Sequence, residues 1–146
     1  MKTCRKCENG YAMPYYAAYL TFVILPLMIL TIDIPRALYV RTHLQTATDA
    51  ACEAAAQALD TRHYMATGEA RIHLGTAAGW AAREFSGTVV DQGIVQYQPA
   101  LTSVRLQGPL IASCTATAEV DTFITGAPPL NIRVASISET RVSRGW

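Results

Sequence analysis

The 22 residues from Tyr11 to Ile32, YAMPYYAAYLTFVILPLMILTI, contain no Asp, Glu, Lys, Arg or His. As a helix rising about 1.5 Å per residue, they reach roughly 33 Å, enough to cross a hydrocarbon core of about 30 Å. The segment reads as a membrane anchor, with Tyr15, Tyr16 and Tyr19 towards one interface. Pro26 falls in its middle, where it removes a backbone donor and invites a kink; membrane helices tolerate this when neighbours re-satisfy the freed carbonyl. A secretory signal begins in a similar way. This stretch is long for a signal core, however, and Asp33-Ile34-Pro35-Arg36 follows it in place of a small-x-small cleavage site.

Working outward, the anchor divides the chain into residues 1–10, a basic cytoplasmic tail or leader, residues 11–34, the transmembrane helix, and residues 35–146, an extracytoplasmic domain. Lys2, Arg5 and Lys6 precede the span, and Arg36 and Arg41 follow it closely. This imbalance favours the tail inside and the bulk outside. From Pro35 onward nine Arg balance nine Asp and Glu. Nucleic-acid binding therefore has no electrostatic footprint. The 146 residues have room for one modest domain.

Beyond Pro35, apolar residues recur at helical spacing from Arg36 to Leu59. Val40, Leu44, Ala47, Ala51, Ala54, Ala55, Ala58 and Leu59 fall on one side, and Thr46, Asp49, Glu53, Gln57 and Asp60 on the other. The packing face Leu44, Ala47, Ala51, Ala54, Ala55 and Ala58 is small, so a sheet or a neighbouring subunit can approach it closely. A second, weaker helix is expected from about Gly68 to Phe85, with Thr67 as N-cap and Gly87 as a left-handed stop.

Strand character begins near Thr88. In Leu110 to Val120 apolar and mostly polar residues alternate strictly, the pattern of a half-buried antiparallel strand. Leu130 to Val142 gives the next strand, and shorter ones are expected at 88–97 and 101–106, separated by Pro99. The fold class is α+β: a transmembrane helix continuing into an amphipathic helix, a second helix, then an antiparallel, pilin-like sheet.

The four cysteines divide by compartment. Cys4 and Cys7 form a CxxC in the tail without the second ligand pair that tetrahedral zinc requires. Cys52 and Cys114 fall in the outer domain, where disulfides are permitted, one beside the alanine face and one on the inward face of a strand. They are expected to form a disulfide, the alternative being two buried thiols. Closing a loop of roughly 60 residues stabilises by about 4 kcal/mol in the chain-entropy account.

No Gly-rich phosphate loop, HExxH pair or nucleophile elbow occurs. His43, His63 and His73 are dispersed, and Asp49, Glu53 and Asp60 follow a solvent-facing helix side. The expectation is a chain that is not an enzyme, with no cofactor, no metal and no catalytic residue.

One resemblance adds to this reading. Leu25-Pro26-Leu27 in the span, Ile32-Asp33-Ile34-Pro35-Arg36 after it, and the run from Val40 to Ala51, VRTHLQTATDAA, resemble the TadE/TadG-like proteins of Flp (Tad) pilus assembly. The resemblance implies a minor pilin-like or pseudopilin-like component, single-pass in the bacterial cytoplasmic membrane. It also implies partners among other pilus or secretion-platform subunits, in a homo- or hetero-oligomer. Prepilin-type processing in related proteins cuts after a Gly, which makes Gly10 and Tyr11 the candidate cleavage point. Tyr15 then stands where those proteins favour Glu. The alternative function is a signal-anchored binding or adhesion module unrelated to pili.

Overall fold

A computed structural model describes residues 12–89, 97–122 and 128–140. Helix α1 (Ala12–Tyr19) passes through a π-helical turn (Leu20–Ile24) into α2 (Leu25–Ala56), together forming one rod. A short α3 (Thr61–Thr67) and α4 (Leu74–Thr88) follow. Three strands follow among the described residues: β1 (Tyr97–Leu106), β2 (Ile111–Val120) and β3 (Leu130–Glu139). The class is α+β, with the apolar helix running directly into the domain helix.

The π turn sits where the proline requires an adjustment. Pro26 has no N–H to offer the carbonyl four residues back, and the Leu25 N–H bonds instead to the Leu20 carbonyl, five residues back. Pro35 lies inside α2 without ending it. The rod from Met13 to Ala56 has 44 residues and is about 66 Å long.

Burial divides this rod sharply. Met13, Tyr15, Phe22, Leu25, Leu27, Met28, Leu30, Ile32 and Ile34 are exposed, with Phe22 at 79%. From Val40 onward one side turns completely inward: Val40, Leu44, Ala47, Thr48, Ala51, Cys52 and Ala55 are all fully buried. Of the expected packing face, Ala54 is only half-buried, and Leu59 also remains 38% exposed. Thr48 and Cys52 share the buried side with the alanines.

The sheet order is β1-β2-β3 and all pairing is antiparallel. β2 is central, and Ala112, Cys114, Ala116, Ala118 and Val120 on its inner face are buried. Their register partners on β3 include Ile132 and Val134, also buried. α4 lies against α2 through Ala77, Ala81 and Phe85, spaced four residues apart on one helix face. Side chains of Leu and Val size stabilise by roughly 1.5–3 kcal/mol each when buried, and alanine methyls by less. Close approach along the small seam therefore matters more here than the bulk of any one residue.

Three boundaries differ from those expected from sequence. The stretch 61–88 is two helices, not one from Gly68 to Phe85. The Asp60 carboxylate accepts the His63 N–H at 3.0 Å to open α3, and Gly68, at φ 75°, closes it in the left-handed region. α4 then starts from His73, whose Nδ1 accepts the Thr76 N–H at 3.2 Å. Gly87 lies within α4, and Thr67 ends α3 instead of capping a helix. Residues 97–106 form one strand through Pro99, because β1 is an edge strand, where a missing N–H can face outward. A register shift between Leu101 and Ser103 absorbs the remaining irregularity. β3 ends at Glu139, before Thr140, and Thr88, expected to begin a strand, ends α4; residues 141–142 and 90–96 of the expected strands lie outside the described residues.

The Asp60 carboxyl is held below the usual carboxylate range, first by the His63 N–H and then by the Arg71 guanidinium, which reaches it at 2.9 Å. A depressed carboxyl contributes stability that is present above its unfolded pKa and is lost as pH falls through the folded value. Acidification is expected to fray α3 first, read as loss of His63 amide protection in hydrogen exchange at low pH. In Asp60→Asn that pH dependence should disappear.

Candidate functional site

The functional surface of this chain is assembled along α2, since one helix holds both the apolar stretch and the domain's central seam. The helix is long and apolar enough to cross a membrane between Met13 and the start of burial at Val40. Thr21 and Thr31 lie within this exposed stretch, and their hydroxyls donate to the carbonyls of Ala17 and Met28, at 2.9 and 2.7 Å. Neither therefore presents an unsatisfied donor to an apolar surrounding. Asp33 and Arg36, a 3.9 Å pair one turn apart, mark the end of the uncharged run.

Above this point α2 is sealed against the sheet. Thr48, polar and fully buried, donates to the Leu44 carbonyl at 2.6 Å, which removes the cost of hiding its hydroxyl. Sequence periodicity missed Thr48; its spacing of four from Leu44 was the available signal. Gln45 bridges helix and sheet, donating to Asp49 at 2.9 Å and reaching the Ala135 carbonyl at 3.5 Å. At the far end Thr140 donates to the Ala56 carbonyl, one of the last of the helix, and its own N–H reaches the Leu110 carbonyl at 2.8 Å. Ile72 and His73 tie the inter-helix segment to Pro109 and Ala58 through backbone bonds of 2.8 and 2.9 Å.

Cys52 and Cys114 meet inside the seam. Both are free thiols and fully buried, Cys52 facing the strand pair formed by Cys114 and its register partner Ser136. Cys52 Sγ also lies 3.3 Å from the Ala112 carbonyl oxygen and 3.5 Å from that of Ser136. The neighbouring Cys114 thiol shifts Cys52 towards ionisation, against the opposing effect of burial. The same neighbour, together with burial, holds Cys114 protonated.

The remaining expected site residues are dispersed. Gly10 and Tyr11, like Cys4 and Cys7, lie outside the described residues. His43 stacks on Tyr39 with centroids 4.2 Å apart, His63 lies in the first turn of α3, and His73 caps α4. Among the described residues no three His, Cys, Asp or Glu side chains are placed to hold a metal ion. An open cleft of about 620 Å³ lies between the end of α2 and β3, lined by Glu53, Gln57, Ile137 and Glu139 among others. Both of its carboxylates belong to exposed residues.

Comparison with known proteins finds a family match over part of the chain. Residues 10–58 fit the family of Flp pilus-assembly TadE/G-like proteins. The matched stretch covers the apolar helix and the whole seam helix, ending at Ala58, the last residue of that buried run. No curated protein and no solved structure matches the chain.

The seam's dependence on small side chains is open to measurement. Ala51→Leu, which inserts three carbons into a fully buried position, is expected to lower stability by about 1–3 kcal/mol through overpacking. Glu53→Leu, one turn-face away and exposed, should stay within about 0.5 kcal/mol. Urea unfolding of the detergent-solubilised chain compares the two.

Proposed function

We propose, from the premise that residues 10–58 form a TadE/G-like segment, that this chain is a membrane-anchored, minor pilin-like subunit of Flp pilus assembly. Its role is structural and not catalytic. The observation that carries this reading is the extent of the match: it includes both the apolar stretch and the seam helix, so the family's segment is the mechanical backbone of the fold and not a peripheral decoration.

In this reading, Tyr11 to about Ile34 lie in the bacterial cytoplasmic membrane and the domain stands outside. The rod carries the domain rigidly, because α2 continues through Pro35 without interruption. Partners are other pilus or secretion-platform subunits, reached through surfaces away from the seam. Tyr64 and Met65 on α3, the latter 87% exposed, and the outer edges that β1 and β3 form among the described residues are such surfaces. Processing between Gly10 and Tyr11 would give a mature chain beginning at Tyr11, and the mass of the amino-terminal peptide decides it.

Removing the chain from its host is expected to abolish Flp-type filaments, and the full-length chain should restore them. Leu27→Arg, which places a charge in the span at a cost of roughly 2.5–3.5 kcal/mol, should not. Filaments of normal number and length without the chain would refute the assembly role. If surface binding were lost at the same time, the adhesion-module reading would take its place.

A further inference from the structure

We infer that Cys52 and Cys114 are an oxidation site, at which a small-molecule or protein disulfide joins α2 covalently to the central strand before the helix seals onto the sheet. The inference stands on three observations. The two thiols, 62 positions apart in sequence, are brought to one place by the packing of α2 on the sheet: Cys52 Sγ lies 3.3 Å from the carbonyl oxygen of Ala112 and 3.5 Å from that of Ser136, the register partner of Cys114. Both side chains are fully buried, so neither sulfur is open to a reagent in the closed domain. Their surroundings are small: Ala51 and Ala55 on the helix and Ala112 and Ala116 on the strand leave the two chain segments close together.

Oxidation takes two exchanges at sulfur, opened by whichever thiol loses its proton first while helix and strand are still apart, here taken as Cys52. The Cys52 thiolate attacks one sulfur of the oxidant's disulfide and expels the other as a thiolate, giving a mixed disulfide. Cys114, on losing its proton, attacks Cys52 Sγ, and the oxidant's remaining sulfur leaves. Two protein thiols lose two electrons and two protons, and the oxidant's disulfide becomes two thiols.

Burial sets the timing. An incoming disulfide must line up with the attacking sulfur, and the sealed seam gives it no approach. The reaction therefore belongs to a chain whose helix and sheet are near each other but not yet closed, and afterwards the bond is protected by the same packing. This inference depends on the proposed function only for an oxidising compartment outside the membrane.

Refolding the full-length chain in detergent tests the site directly. Reduced, unfolded protein is refolded with or without oxidised glutathione, free thiols are blocked with iodoacetamide in denaturant, and the product is digested with trypsin. Oxidative refolding should join the peptides Thr42–Arg62 and Leu106–Arg133, with reduction separating them; any bond between Cys4 and Cys7 falls on other peptides. Protein first folded in the reduced state should acquire the link at least about tenfold more slowly. The linked form should melt roughly 10 °C or more above the reduced form. A Cys52→Ala, Cys114→Ala double variant should melt at one temperature under both conditions. Recovery of both peptides alkylated after oxidative refolding overturns the site, and oxidation of the folded thiols as fast as the refolding ones overturns the timing. Neither readout involves pili, so a chain that cross-links but leaves filaments unaffected refutes the assembly role alone.

Discussion

The packing of α2 on the inner face of β2 is the contact on which the rest of the structure depends. A row of Ala47, Ala51 and Ala55 meets a row of Ala112, Ala116 and Ala118, and neither holds a side chain large enough to keep the two apart. Small-on-small packing contributes little transfer energy per residue, so the seam relies on closeness and on its supports. Leu44 and Val40 fill the end nearest the apolar stretch, Thr48 satisfies itself on the helix, and Thr140 fastens the far end. α4 then covers a second side of the same helix with Ala77, Ala81 and Phe85. The domain is built around a helix whose other half it does not cover.

That uncovered half links structure to function. Between Met13 and Ile34 the helix presents apolar side chains in nearly every direction, and none of them is buried among the described residues. Such a surface is compatible with a bilayer and costly in water. Because α2 runs unbroken from this region into the seam, a displacement of the lower half is transmitted to the sheet without an intervening hinge. In the proposed role, between a membrane and an assembling filament, continuity of this kind would hold the domain in a fixed orientation.

Much of this was legible from residue patterns. The uncharged run, the helical repeat of Leu44, Ala47, Ala51 and Ala55, and the strict alternation through Cys114 each carry one strong period, and each formed the element that its period implies. The region between Ala58 and Thr88 was less legible because its boundaries depend on capping by single side chains. Asp60 opens a short helix, Gly68 ends it, and His73 starts another; a periodicity of small apolar residues runs across all three without marking them. Pro99 misled in a different way, since whether proline breaks a strand depends on whether that strand lies at an edge, and sheet order is not written locally. In the seam, Cys114 was readable as inward-facing and Cys52 only as flanking the alanine face; the full burial of Cys52 against the carbonyls of Ala112 and Ser136 depends on the register of helix against sheet, which only the assembled fold provides.

The central claim is that one continuous helix is lipid-covered below and protein-covered above. Spin labels placed singly along the chain in reconstituted bilayers, after replacement of the native cysteines, test it most directly. Labels at Phe22 and Leu27 should relax with oxygen dissolved in the lipid and not with an aqueous nickel complex. A label at Ala47 should be shielded from both, and one at Glu53 open to the nickel complex. Free access of the nickel complex to Phe22 and Leu27 would contradict the account.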